Sequence, residues 1–394
     1  MKNLHNENKG ATMKNIDSKR REFIADSAKF TSLAMIATAL PLMASGTNAT
    51  KGATMQKRKV GNLEVSAIGM GCMGFSHGYG KTPPKKYALE AIRAAFDFGC
   101  NFYDTAEGYG KEMFYAGHNE ELVGEALQGV RKDAIIATKF HLSDEEGKKP
   151  LYETIKAHLN ASMKRLKTDY VDLYYWHRIN ETIALESVAQ VMGRLIKEGL
   201  IRGWGLSQVG VKYIDTAHKI TPLSAVQNLY SMMERECEKE VFPYCLQNNI
   251  AVVPFSPLAS GFLSGKVTTS TKFEGDDVRK FVPQLSKDNI NANQPLLELI
   301  RTYAKDKNAT PAQISLAWML HKYPNCVPIP GSKNKERILE NLGAWSVALS
   351  NSEFKSLEKE LDKISIHGHR GIEETQQNSF GNKWKNQNFK KAKE

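Results

Sequence analysis

From residue 67 onwards two hydrophobic rhythms alternate along the chain. Apolar runs of three to six residues, the length of buried strands, occur at Ala67 to Met70, Asn101 to Asp104, Ala134 to Thr138, Val171 to Tyr175, Ile201 to Leu206, Ala225 to Asn228, Ala251 to Phe255 and Val327 to Ile329. Between them lie stretches of helical period: Lys85 to Phe98, Asn119 to Leu127, Leu151 to Leu166, Ile183 to Glu198, Val211 to Ala217, Glu236 to Gln247 and a longer region from Gln294 to Tyr323, with Lys335 to Leu342 closing the series. Ahead of the first run, Gln56 to Val60 and Leu63 to Val65 flank Gly61-Asn62, the signature of a small hairpin. Eight strand-helix units predict an α/β fold, a (β/α)8 TIM barrel with an N-terminal β-hairpin and a C-terminal extension.

A literal G-x-G-x-x-G, Gly69 to Gly74, competes with this reading because it suggests a Rossmann dinucleotide site. That motif needs a helix to open at once, so that its N-terminus meets the pyrophosphate. Here Phe75 to Pro84 intervenes with two prolines and reads as a loop. The glycines are therefore expected to form a close-approach floor in a barrel mouth, with Gly71, Cys72 and Met73 as cofactor-contacting candidates.

The first fifty residues stand outside this rhythm. Lys19-Arg20-Arg21-Glu22-Phe23-Ile24 precedes an apolar stretch from Phe30 to Met43 and the small residues Thr47-Asn48-Ala49, which resembles a twin-arginine export signal. The apolar run is shorter than the roughly twenty residues a membrane-spanning helix takes. The expectation is a signal peptide over residues 1–49, a barrel over 55–366 and a basic extension over 367–394. Export machinery would then be a transient partner and the periplasm the destination, with a cytoplasmic location if the signal does not function.

Composition changes the picture little. Hydrophobic residues make up 41% and charged residues 25%, as in ordinary globular proteins. The net charge of +11 suits anionic ligands. No basic run interleaved with aromatics marks a nucleic-acid surface in the body of the chain. Five cysteines lack disulfide or metal spacing, and no metal is expected.

Candidate chemistry sits where strands end, the face on which barrels carry their active sites. Asp104 closes the second strand and Tyr109 lies five residues on; Lys139 follows the third strand, and His177 follows the fourth. Each alone reads equally well as a turn residue, a snorkelling lysine or a core histidine. Together they form a set in which an ammonium eases ionisation of a phenol, a carboxylate holds the ammonium charged, and a neutral imidazole hydrogen-bonds a carbonyl.

At these residues the chain resembles the aldo-keto reductase family, through Asp-Thr-Ala-Glu-x-Tyr-Gly at 104–110, Asn-Glu-Glu-Leu-Val-Gly at 119–124, Lys139, and Arg165-Leu166-x-Thr168-Asp169-Tyr170-Val171-Asp172. The resemblance implies reduction of a small-molecule aldehyde or ketone with NADPH. Tyr109 would be the proton donor, Lys139 and Asp104 would tune it, and His177 would orient the carbonyl. It also implies that Ser207, Gln208 and Gln227 hold the nicotinamide amide and that Tyr230 stacks on its ring. Ser256, Pro257, Leu258, Gly261 and Leu263 would cover the pyrophosphate. Gly331, Ser332, Lys333, Arg337, Glu340 and Asn341 would receive the adenosine 2′-phosphate. Trp176 is expected to bulk up the pocket floor, and Lys111 to Gly117 to lengthen a loop at the mouth. Two other readings remain open: an NADP-binding sensor or partner subunit with little turnover, and a Schiff-base aldolase using Lys139.

Overall fold

The computed structural model describes residues 55–371, so the export-signal segment and most of the basic extension lie outside the described residues. The hairpin is present as β1 (Lys57–Val60) and β2 (Leu63–Ser66), antiparallel with Val60 opposite Leu63. Gly61 turns it at φ +56°, and a Cβ there would sit 2.7 Å from Ser224 Oγ, so both conformation and space call for glycine.

Seven parallel strands follow, each paired with the next in chain order: β3 (Met70–Gly71), β4 (Phe102–Asp104), β5 (Ile135–Phe140), β6 (Leu173–Trp176), β7 (Trp204–Ser207), β8 (Ala225–Gln227) and β9 (Ala251–Val252). Parallel neighbours need crossovers, and these are largely helical. They include α1 (Lys85–Asp97), α2 (His118–Ala126), the single turn α3 (Asp144–Gly147), α4 (Leu151–Leu166), α5 (Leu185–Lys197), α6 (Val211–Ile220) and α7 (Val241–Gln247). The last crossover holds α8 (Lys287–Ala292), α9 (Gln294–Asp306) and α10 (Pro311–Lys322), and α11 (Lys335–Leu342) and α12 (Asn351–Leu361) end the body.

The expected eighth strand is reduced to hydrogen bonds without regular strand geometry. Val327 N and Ile329 N donate to Val252 and Pro254 on one side, while Pro328 O and Pro330 O accept from Gly69 N and Gly71 N on the other. The segment therefore closes the barrel. Its two prolines have no N–H to donate toward the first strand, so only half of a normal ladder forms there.

Period-two alternation decides what faces inward. Phe102, Ile135, Ala137, Leu173, Tyr175, Ala225, Ala251, Val253, Val327 and Ile329 form the barrel interior, and Val60, Leu63 and Val65 of the hairpin pack into the same cluster. The residues between them, such as Tyr103, Ile136, Tyr174 and Trp204, face the helix layer. Trp176 belongs to that outer set and is fully buried among the helices, so it does not floor the pocket as the sequence suggested.

Most other differences are at element ends. The helix expected from Glu236 to Gln247 divides into a 3-10 turn, Glu236–Glu238, and α7. The long region from Gln294 to Tyr323 divides where Asn308 adopts φ +48° and Thr310 begins α10 with a capping box to Gln313 and Pro311 in the first turn. α12 was not expected, although Ser350 and Glu353 form a capping box there. Among the described residues no helix is long and apolar enough to cross a membrane.

Candidate active site

Counting by twos along β4, β5, β6 and their continuations places Asp104, Lys139 and His177 on inward positions at the C-terminal end of the barrel. Lys139 lies within β5 rather than after it and is fully buried. Its three ammonium hydrogens all have partners: Asp104 Oδ1 at 2.5 Å, Thr105 O at 2.7 Å and Tyr109 OH at 3.0 Å. Gln227 Nε2 donates to the other carboxylate oxygen at 2.7 Å, so Asp104 is held on both sides. His177 N continues the ladder by donating to Phe140 O, and its ring meets Tyr109 edge-on, 5.7 Å between centroids. The four residues that the sequence picked out thus converge.

Burial sets the protonation of this group. Burial alone would lower the Lys139 ammonium, yet the Asp104 carboxylate and Tyr109 outweigh it and hold it above the ordinary lysine range. Burial raises the Asp104 carboxyl, opposed by Lys139 and Gln227. The Tyr109 phenol is also raised, because burial outweighs the neighbouring ammonium. The ammonium alone would ease ionisation, as the residue pattern suggests; burial overrides it and leaves the phenol harder to ionise than a free one. Burial, joined by the charges of Lys139 and Arg178, drives the His177 imidazole well below its usual range, so it is neutral.

The motifs around the tetrad hold it in place. Asn119 accepts from Thr105 Oγ1 and donates to Cys72 O and Ser76 Oγ, tying the glycine-rich floor to the end of β4. Glu120 accepts from Thr138 and Arg165, and Gly124 lets α2 meet α4 so closely that a Cβ would lie 2.6 Å from the Leu166 backbone. Cys72 is fully buried with N bonded to Asp104 O and its carbonyl taken by Asn119, so it supports the floor; neither its side chain nor its backbone polar groups are open to a ligand. Gly71 and Met73 flank it, half-buried.

The remaining predicted residues fall into two cases. Ser207 and Gln227 point inward, Gln208 is buried at φ +56° with Oε1 accepting from Leu229 N, and all three line one side of the mouth. Ser256 and then the consecutive Ala259, Ser260 and Gly261 have positive φ, which turns the chain tightly after β9. Ser260 Oγ is buried there without a partner. Pro257 is buried, Leu258 partly so, and Leu263 is wholly in the core, so these three shape the loop rather than present polar groups. At the start of α11, exposed Gly331 and Arg337 stand near half-buried Ser332 and Lys333, whose ammonium caps Tyr79 O and Lys81 O at 2.5 Å each. Glu340 is half-buried with its carbonyl bonded to Gln313, and Asn341 is buried. A backbone run suited to phosphate oxygens, an orphaned hydroxyl and a cationic helix start fit a phosphorylated dinucleotide.

Tyr230 does not join them. It is fully buried in the helix layer, stacked on Trp318 at 5.5 Å with its hydroxyl on Glu238 at 2.6 Å. The reason is parity: Ala225 and Gln227 face inward, so position 230 faces out. Counting from Ala251 and Val253 instead brings Phe255 inward, half-buried against the interior cluster beside the Ser256 loop. Also missed were Arg178, which donates to His177 O at 2.6 Å and Ser207 Oγ at 2.9 Å, and His77, whose ring lies 5.5 Å from that of Tyr109. Arg178 follows His177 directly; His77 sits on the loop after the glycine run and carries no period to betray it. Among the described residues no group of three or more His, Cys, Asp or Glu side chains is placed to hold a metal.

A buried ammonium, carboxylate and phenol beside a neutral imidazole at the mouth of a barrel are the groups that polarising and protonating a carbonyl requires. The aldo/keto reductase family model matches residues 67–362, and the chain belongs to that family. It is 34% identical over 315 residues to the Glycine max protein named "Probable aldo-keto reductase 1", covering 77% of this chain and 88% of that one. The fold superimposes on an aldo/keto reductase of Klebsiella pneumoniae in complex with NADP and acetate, with TM-score 0.61, 26% identity and coverage of 81% and 100%. It also matches the glycerol dehydrogenase of Gluconobacter oxydans in fold, with TM-score 0.69 at 23% identity and coverage of 81% and 98%. Membership of that family makes the chain an oxidoreductase.

Proposed function

We propose that the protein reduces an aldehyde or ketone to the alcohol, with Tyr109 delivering the proton. The observation that carries this is the line of contacts Tyr109 OH, Lys139 Nζ, Asp104 Oδ1, at 3.0 and 2.5 Å. The bound cofactor supplies hydride to the carbonyl carbon. His177 and the Tyr109 hydroxyl hydrogen-bond the carbonyl oxygen and polarise it, and the Tyr109 proton passes to that oxygen as negative charge develops there. Lys139 then faces a phenolate, which its charge stabilises, and Asp104 keeps the ammonium charged and aimed. Ser207 and Gln227 would hold the nicotinamide amide, Phe255 would pack on its ring, and Ser260 with its neighbours would meet the pyrophosphate. Ser332, Lys333 and Arg337 would bind the 2′-phosphate with charge-assisted bonds.

Replacing Tyr109 by Phe should lower kcat on a simple aldehyde by about 10²- to 10⁴-fold while NADPH still quenches the intrinsic fluorescence; undiminished turnover overturns the proton-donor assignment. Titration with both cofactors checks the phosphate site: wild type should bind NADPH more tightly than NADH, and Lys333→Ala with Arg337→Ala should narrow that gap. A Schiff base on Lys139 is disfavoured because the amine stays protonated against Asp104. Little turnover on every aldehyde tried, with tight NADPH binding, would favour the sensor reading instead. The twin-arginine-like segment supports export as part of the same proposal, and a mature N-terminus following Ala49 in protein recovered from its own cells would bear it out.

A further inference from the structure

Arg178 brings to the mouth a charge that, among the described residues, no carboxylate pairs. Its Nη1 donates to His177 O at 2.6 Å and to Ser207 Oγ at 2.9 Å. Nε and Nη2 have no partner among the described residues and still touch solvent, so the guanidinium is neither sealed away nor neutralised. It keeps its proton at neutral pH, as arginine does in proteins. A ring of contacts fixes its place. Ser207 lies opposite Gln227 in the register of β7 and β8, Gln227 donates to Asp104 at 2.7 Å, Asp104 holds Lys139, and Lys139 donates to Tyr109. Tyr109 meets the His177 ring at 5.7 Å, and the next residue is Arg178 again. Asp104 balances Lys139, so the ring is left with the charge of Arg178 over. Burial is the larger influence on Tyr109 and His177, yet the Arg178 charge reaches both and lowers each.

A carbonyl held by Tyr109 and His177 needs its hydride donor about 3–3.5 Å from the carbonyl carbon, which puts the nicotinamide within the same ring of side chains. The two forms of that cofactor differ in charge there: the oxidised ring is a pyridinium cation, and the reduced ring is neutral. A like charge nearby disfavours the charged form. We propose that Arg178 makes the site prefer the reduced cofactor, by opposing the pyridinium of NADP+ while sparing the neutral ring of NADPH, and so biases the enzyme toward carbonyl reduction. The inference rests on the reductase reading, which puts the nicotinamide beside Ser207. The hydrogen bond from Arg178 is a separate contribution: Ser207 Oγ accepts it, so the serine O–H is left to donate to the nicotinamide amide. That bond serves both forms of the cofactor alike, whereas the charge tells them apart.

The test is a pair of fluorescence titrations, with NADPH and with NADP+, on wild type, Arg178→Gln, Arg178→Met and Arg178→Lys. Arg178→Gln removes the charge and keeps an N–H for Ser207, Arg178→Met removes both, and Arg178→Lys keeps the charge. In the two neutral variants the ratio of the NADP+ to the NADPH dissociation constant should fall about five- to ten-fold, the effect of one charge acting across a solvated mouth. Arg178→Lys should hold that ratio within about two-fold of wild type, even where its different shape weakens both constants. The ratio is taken on protein that binds, and if one neutral variant does not fold the other carries the test. A ratio within about two-fold of wild type in the neutral variants, or a fall in Arg178→Lys equal to theirs, overturns the charge assignment and leaves the reductase reading standing. A wild type that binds neither form of the cofactor overturns both together.

Discussion

Lys139 shows how one residue acquires a role from its surroundings. A lysine with no exposed surface is tenable only when its charge is paired and all its hydrogens are used, and here a carboxylate, a carbonyl and a phenol use them. The positions of Asp104, Lys139 and His177 at the ends of strands were legible because strand ends are visible as interruptions of apolar runs. The placement of Tyr230 was not legible in the same way: its parity turns the ring into the helix layer against Trp318. The contrast can be measured. Phe255→Ala should weaken NADPH binding by about ten-fold, the upper end of an aromatic stacking contribution, whereas Tyr230→Phe should leave NADPH affinity unchanged. The latter should instead lower stability by about 1 kcal/mol through loss of the bond to Glu238, read by urea denaturation.

At the scale of elements, the loop after β4 is pinned to α4 by one histidine. His158 Nδ1 contacts Glu107 Oε2 at 2.8 Å, and its Nε2 contacts Glu146 Oε1 at 3.1 Å. The hydrogen bond to Glu107 raises the His158 imidazole, against burial, with Glu146 adding to the effect. A group raised in the folded state contributes fully below its unfolded value, near 6.5, and loses that contribution as pH climbs through the folded value. The Tm advantage of wild type over His158→Gln should therefore be largest near pH 6 and shrink toward pH 9; an advantage independent of pH would show that His158 is not held charged. Helix spans such as Leu151–Leu166 and Lys335–Leu342 were legible to the residue, because amphipathic period and end signals agree there. The eighth strand was legible as apolar sequence, but Pro328 and Pro330 leave it only half a ladder.

The described residues form a closed ring of strands whose plug, mouth and helix layer are each built from distant parts of the chain. Arg58 of the hairpin donates to Leu320, Tyr323 and Cys326 carbonyls, more than 260 residues away. At the other end, Arg370 Nε reaches Ser256 Oγ at 3.1 Å and the Arg370 N–H bonds Glu234, bringing the C-terminal segment onto the loop over the mouth. All five cysteines are free and buried. A reducing agent should accordingly leave the Tm unchanged, and a fall on reduction would reveal a disulfide. What the amino-acid sequence determined by itself is what repeats or interrupts locally: the strand-helix rhythm and the polar residues that end its strands. Only the tertiary structure decided that burial makes the Tyr109 phenol harder to ionise, that Phe255 rather than Tyr230 packs against the barrel interior, and that His77 lies beside Tyr109. Solvent exclusion, side-chain parity and proximity across the barrel arise only when strands distant in sequence close into one ring.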